Sequence, residues 1–209
     1  MVYSITKKTI IPVIKFWIKE VNGLQNLPKK GAFIVAANHA SYMDHLIIAS
    51  TLISYLDRKI HFLSKKEHFD NIFKKAWHNY YGAVPLDRET GGKEALRWAI
   101  KALKEGKIIA IHPEGTRTLT GKLQRGRTGV ARLALGARTP VIPVGLIGTF
   151  EILPKGRYIP KAKRAIMNIG KPIYFLRHYN KKINKKMLKE ITDKIMHEIA
   201  RLCNQEDIN

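Results

Sequence analysis

The sequence predicts an α/β fold: a single domain with a mostly parallel central sheet flanked by helices, led by an amphipathic helical segment at the N-terminus. Three observations carry this. From Gly31 onward, short apolar runs alternate with helix-length amphipathic stretches. No repeat, low-complexity tract or linker divides the chain. Its 209 residues, 45% hydrophobic, suffice for one sizeable core.

The N-terminal stretch TKKTIIPVIKFWIKEV surrounds an apolar run with lysines. Lys15 interrupts the run and no small-residue cleavage site follows, which argues against a signal peptide. Ile14, Trp17, Ile18 and Val21 fall at helical spacing, with Lys15 and Lys19 on another face. Such a helix can lie in a membrane interface with Trp17 at headgroup depth, or pack on its own core. Residues 1–28 are read as an N-terminal amphipathic helical segment and 29–209 as the main domain. No run of 18 uncharged apolar residues suggests a transmembrane helix.

The main domain opens on a buried strand, AFIVAA (32–37), followed by a helix from Asp44 to about Leu56. A strand over 60–64, a helix from Glu67 to His78 and a short strand over 83–86 come next. Lys93 to Glu105 is a helix whose stripe is Leu96, Ala99, Ile100 and Leu103, and Gly106 stops it. KIIAI (107–111) is a strand, GVARLALGA (129–137) a helix, PVIPVGLIG (140–148) a strand and RAIMNIG (164–170) the last strand. A terminal helix runs from about Asn184 to Leu202. In open α/β sheets, sites form beyond the carboxyl ends of parallel strands. The unusual polar residues sit in the loops after 32–37, 83–86 and 107–111.

Charge is the compositional outlier: 38 Lys and Arg against 16 Asp and Glu, a formal +22. A chain this basic works beside a polyanion, either nucleic acid or an anionic membrane surface. No zinc-finger spacing, RNA-binding signature or aromatic-basic stripe is present, so nucleic acid is not expected. Between Lys155 and Lys189 there is no acidic residue, which suits lipid headgroups. The lone Cys203 excludes an intrachain disulfide and reads as a small buried hydrophobe.

Four blocks stand out: NHASYMD (38–44), GAVPLDR (82–88), HPEGTRT (112–118) and VIPVGL (141–146). An imidazole of ordinary pKa serves as a general base when a nearby carboxylate orients it. His39 and Asp44, a His-x4-Asp pair, fit these roles. As a rival reading, Asp44 could simply cap a helix. His45 is the second choice of base, His112 is read as packing, and Ser41 has no base aimed at it. His39, Asp44 and His45 lack the further ligands of a known metal site, so no metal is expected.

In content, order and spacing the four blocks resemble the 1-acyl-glycerol-3-phosphate O-acyltransferases and their glycerol-phosphate and lysophospholipid relatives, over roughly residues 10 to 175. The resemblance implies that His39 is the general base and Asp44 its orienter. It places Arg88 and Arg117 near the acceptor's phosphate, with Glu114, Gly115 and Thr116 shaping the same pocket. Glu114 would hold a glycerol hydroxyl or brace Arg117. Asp87 reads as a partner of Arg88, while Lys65 and Arg125 would add positive potential. The expected reaction moves a fatty acyl group from acyl-CoA or acyl-carrier protein to 1-acyl-glycerol 3-phosphate, with no other cofactor and no acyl-enzyme. Another lysolipid, such as a lyso-ornithine lipid, is the alternative acceptor. The resemblance also favours membrane contact for the N-terminal helix, hence a peripheral or monotopic protein on the cytoplasmic side of the cell membrane.

Overall fold

The computed structural model describes residues 4–65, 84–86 and 92–206. In chain order the elements are α1 (Ser4–Lys8), α2 (Ile10–Lys15), β1 (Ile18–Asn22), β2 (Phe33–Ala37), α3 (Met43–Leu56), β3 (Ile60–Lys65) and β4 (Val84–Leu86). Then come α4 (Lys93–Lys104), β5 (Ile108–Ile111), α5 (Gly129–Ala137), β6 (Val141–Ile147), α6 (Thr149–Ile152), β7 (Ala165–Ile169) and α7 (Lys185–Leu202). The expected helix over Glu67 to His78 lies outside the described residues.

Among the described residues, seven strands form one sheet in the order β1-β7-β6-β2-β5-β3-β4. β6, β2, β5, β3 and β4 run parallel, whereas β7 is antiparallel to β6 and parallel to the edge strand β1. The mostly parallel sheet predicted from the sequence is present. β2 sits near its middle and every residue of it is buried. Its side chains alternate between two cores: Phe33, Val35 and Ala37 face the layer with α2 and α3, and Ile34 and Ala36 face α4, α5 and α7. Burial on both faces explains why the sequence shows an unbroken apolar run there.

The N-terminal helix is present but shorter than its spacing suggests. Helical structure ends by Phe16, the C-cap of α2, and Ile18–Asn22 is a strand paired with β7. A register irregularity between Ile18 and Glu20 breaks the two-residue alternation. Ile18 and Val21 therefore both pack on the core, and a bulged strand imitates helical spacing. Trp17 also packs on that core, and its indole N–H donates to the Lys161 carbonyl at 2.9 Å. This is the core-packing alternative that the spacing left open. The outward apolar residues of this segment are Val13 and Phe16, 58% and 51% exposed.

Because β2 and β5 are parallel neighbours, the loops that follow them emerge side by side. The first carries residues 38–42 and the second residues 112–128. Asn38 fixes the exit of β2. Its side chain donates to the Leu146 carbonyl at 2.9 Å and accepts from the Leu146 N–H at 2.7 Å, continuing the β2–β6 pairing with an amide in place of backbone.

Candidate active site

His39 follows immediately. Its backbone is held from both sides: its N–H donates to Glu114 Oε1 at 2.5 Å, and its carbonyl accepts from the Thr118 N–H at 2.9 Å. The two loops are thus stitched together at the candidate base. Asp44 lies in the first turn of α3 and is fully buried. Its Oδ2 reaches back to the Ala40 and Ser41 N–H groups, both at 2.8 Å, and to His39 Nδ1 at 2.9 Å. Asp44 therefore shapes the turn and orients the imidazole together. With Nδ1 donating to the carboxylate, Nε2 is the ring's acceptor nitrogen. Burial raises the Asp44 carboxyl above its ordinary value, opposed by the neighbouring His112 imidazole and by the N–H of Ser41.

His112 lies flat against His39, with ring centroids 3.9 Å apart and planes 9° from parallel. Its Nδ1 lies 3.0 Å from both the Ala37 and Asn38 carbonyl oxygens, so it is the donor. Burial, then the neighbouring His39, pushes its pKa down to about 3. A neutral plate thus backs the base, as the packing reading of His112 expected. His45 contacts both rings edge-on, at 5.1 and 4.8 Å, and Phe62 at 5.0 Å. The three histidines bring ring nitrogens within 4.8 Å of one another. Stacked rings, however, aim their in-plane lone pairs parallel, so one ion cannot lie in the planes of both His39 and His112 without a ring turning.

Glu114 is buried and its carboxylate is fully engaged: Oε1 by His39, Oε2 by the Gln124 N–H at 2.8 Å and side-chain amide at 3.2 Å. It is a brace, and what it braces is the His39 backbone. Gln124 also donates to the Thr116 carbonyl at 3.0 Å, tying Thr116 into the loop. Burial raises the Glu114 pKa from 4.5 to about 7. The folded chain therefore holds this proton more tightly than the unfolded chain. The associated stability is complete below pH 4.5 and is lost as pH rises through about 7. The change amounts to roughly 3 kcal/mol. Melting the wild type and Glu114→Gln across this window should show the wild type losing stability relative to the variant as pH rises. Parallel curves would refute it.

Arg117 stacks on Tyr42, its Cζ 3.4 Å from the ring centroid. Its Nη1 is buried without an acceptor among the described residues. Arg88 and Asp87 lie outside the described residues, as does the Lys65 side chain. Arg125 is exposed. Ser41 is buried, donating to the Leu153 carbonyl at 2.7 Å and accepting from the Met43 N–H at 3.0 Å. Cys203 is buried beside the end of α7, and burial pushes its thiol up to about 11. Neither has the setting of a nucleophile.

His39 opens on a cavity of about 340 Å³, lined also by His45, His112, Gly115, Arg127 and Arg132. The resemblance singled out Gly115 but neither of the two arginines. Their signal was legible, since RGRTG runs glycine and arginine straight into a helix start.

The chain is similar to known acyltransferases. A family model described as Acyltransferase matches residues 19–147. A 1-acyl-sn-glycerol-3-phosphate acyltransferase of Bacillus subtilis (strain 168) is 29% identical over 189 residues, 90% of this chain and 89% of that protein. A chloroplastic protein of the same name from Brassica napus is 31% identical over 78% of this chain, which spans 47% of its length. The crystal structure of the 1-acyl-sn-glycerophosphate acyltransferase PlsC from Thermotoga maritima superposes with a TM-score of 0.70 at 25% identity. That match covers 95% of this chain and 80% of the other.

Proposed function

Because the chain belongs to the acyltransferase family, we propose that it moves a fatty acyl group from an acyl thioester to the free hydroxyl of 1-acyl-glycerol 3-phosphate, forming phosphatidic acid. The observation that carries this is the His39–Asp44 pair at 2.9 Å, opening on a cavity walled by arginines. His39 Nε2 takes the hydroxyl proton as the oxygen attacks the thioester carbonyl carbon. The tetrahedral intermediate expels the thiolate, which takes the proton back from the imidazolium. Asp44 holds the tautomer and faces the positive charge that forms between these steps. Acyl-CoA or acyl-carrier protein is the donor, and transfer is direct, since Ser41 and Cys203 are committed elsewhere. Arg117, which stacks on Tyr42 and does not line that cavity, is a further grip on the acceptor headgroup in this reading.

The lipid acceptor calls for a protein at a bilayer surface. No helix among the described residues is long and apolar enough to cross a membrane. Val13 and Phe16 are exposed, as are Tyr158 and Ile159 in a lysine- and arginine-rich loop whose Lys161 carbonyl accepts from the Trp17 indole. Arg164 at the end of that loop covers the Phe16 ring, 5.6 Å from its centroid. Apolar groups ringed by cations suit anionic headgroups on the cytoplasmic side of the cell membrane, with peripheral attachment.

A mass-spectrometric product survey tests the reaction. Purified protein is offered acyl-CoA or acyl-carrier protein against glycerol 3-phosphate, 1-acyl-glycerol 3-phosphate and other lysolipids, including a lyso-ornithine lipid. Phosphatidic acid from 1-acyl-glycerol 3-phosphate is the expected product. Turnover confined to another lysolipid would replace the proposed acceptor.

A further inference from the structure

The cavity beside His39 has a cationic wall. Arg127, Thr128, Gly129 and Arg132 line it, where α5 begins. Arg127 lies across the Glu-Gly-Thr-Arg loop: a Cβ at Gly115 would come within 2.9 Å of its Nε. The Arg127 backbone is pinned by an N–H bond to the Pro113 carbonyl at 2.8 Å. Neither Arg127 nor Arg132 forms an ion pair among the described residues. The start of α5 is bare as well, because Thr128 makes no side-chain cap and the first turn holds no acidic residue. Two exposed guanidiniums without a carboxylate partner among the described residues and the positive end of a helix therefore line the cavity that also holds the candidate base, a setting that favours an anion.

We propose that Arg127, Arg132 and the start of α5 form the pocket for the acceptor's phosphate, in addition to Arg117. This rests on the reading of the protein as a lysophosphatidate acyltransferase. The chemistry of the two substrates decides which phosphate belongs here. In 1-acyl-glycerol 3-phosphate only two carbons and an oxygen separate the reacting hydroxyl from phosphorus. The donor's nearest phosphate stands at the far end of a pantetheine arm from its thioester carbonyl. A phosphate held in the same cavity as His39 therefore suits the acceptor. A phosphate has more acceptor positions than one guanidinium fills, so a two-arginine wall is chemically useful.

The test uses the full chain and the variants Arg127→Met, Arg132→Met, Arg132→Lys and the double Met variant, each checked by thermal melting. Steady-state transfer is measured with each substrate varied in turn, and with monoacylglycerol as an acceptor lacking phosphate. The Met variants should raise KM for 1-acyl-glycerol 3-phosphate by about 10- to 100-fold. KM for the thioester and transfer to monoacylglycerol should hold, and Arg132→Lys should recover part of the loss. A raised thioester KM with an unchanged acceptor KM overturns the proposal by giving the wall to the donor; unchanged values for both overturn it outright. Binding of glycerol 3-phosphate, followed by NMR without turnover, separates this from the reaction itself. Binding by the wild type that disappears in the double variant supports the pocket even if the acceptor proves to be another lysolipid. Binding absent from the wild type, or equal in both, removes it.

Discussion

His39→Ala should lower acyl transfer by at least about 10²–10⁴-fold while leaving the fold and vesicle binding intact. The two bonds that stitch His39 between the loops, to Glu114 and from Thr118, use its backbone and survive truncation. The ring itself contributes its contacts to His112 and His45 and its bond to Asp44. Asp44 keeps its two backbone N–H donors without it. Loss of activity with an unchanged melting curve would thus report chemistry rather than unfolding. His45 is the rival base, and its ring meets His39 edge-on. Transfer within about tenfold of wild type in His39→Ala would move the base elsewhere.

The parts of the fold most legible in the sequence were those in which local pattern and tertiary role coincide. The buried runs 33–37, 108–111 and 141–147 could only be interior strands, and β-α alternation forced them parallel. The stripe Leu96, Ala99, Ile100 and Leu103 gave α4 almost to the residue. Ile18 and Val21 misled because a bulge is a tertiary event: pairing with β7 decides it, and no local periodicity encodes it. At the site, the pairing of His39 with Asp44 was legible from chemistry plus the company of the other blocks, and the two side chains meet at 2.9 Å. Glu114 was visible as a residue but not as a brace for His39, because its partner lies 75 positions away in sequence. Gln124 was invisible for a similar reason, and Arg127 was legible only as a basic residue ahead of a helix start, not for its place across the loop. Each acts across a loop whose path is set by Gly115 at φ +74° and by the bond from Arg127 N–H to Pro113.

Asp44→Asn separates the two duties that this carboxylate combines. One oxygen, Oδ2, receives the N–H groups of Ala40 and Ser41 and faces His39 Nδ1. An amide oxygen in that position can accept the same three bonds. The amide nitrogen would then replace Oδ1, a buried atom that faces the Thr149 hydroxyl. The turn and the imidazole should therefore stay in place, and stability should remain within about 1 kcal/mol of wild type. What disappears is the negative charge facing the imidazolium that forms during transfer. The turnover rate should fall by about 10²–10⁴-fold, with the acceptor KM little changed, because substrate binding does not use that charge. Asp44→Ala removes the scaffold too: two backbone N–H groups are left buried without partners. It should lose about 2–5 kcal/mol of stability in addition to activity. If Asp44→Asn transfers like wild type, the carboxylate is a structural clamp and the charge has no catalytic part. If the two variants melt alike, the bonds to Ala40 and Ser41 do not hold the turn.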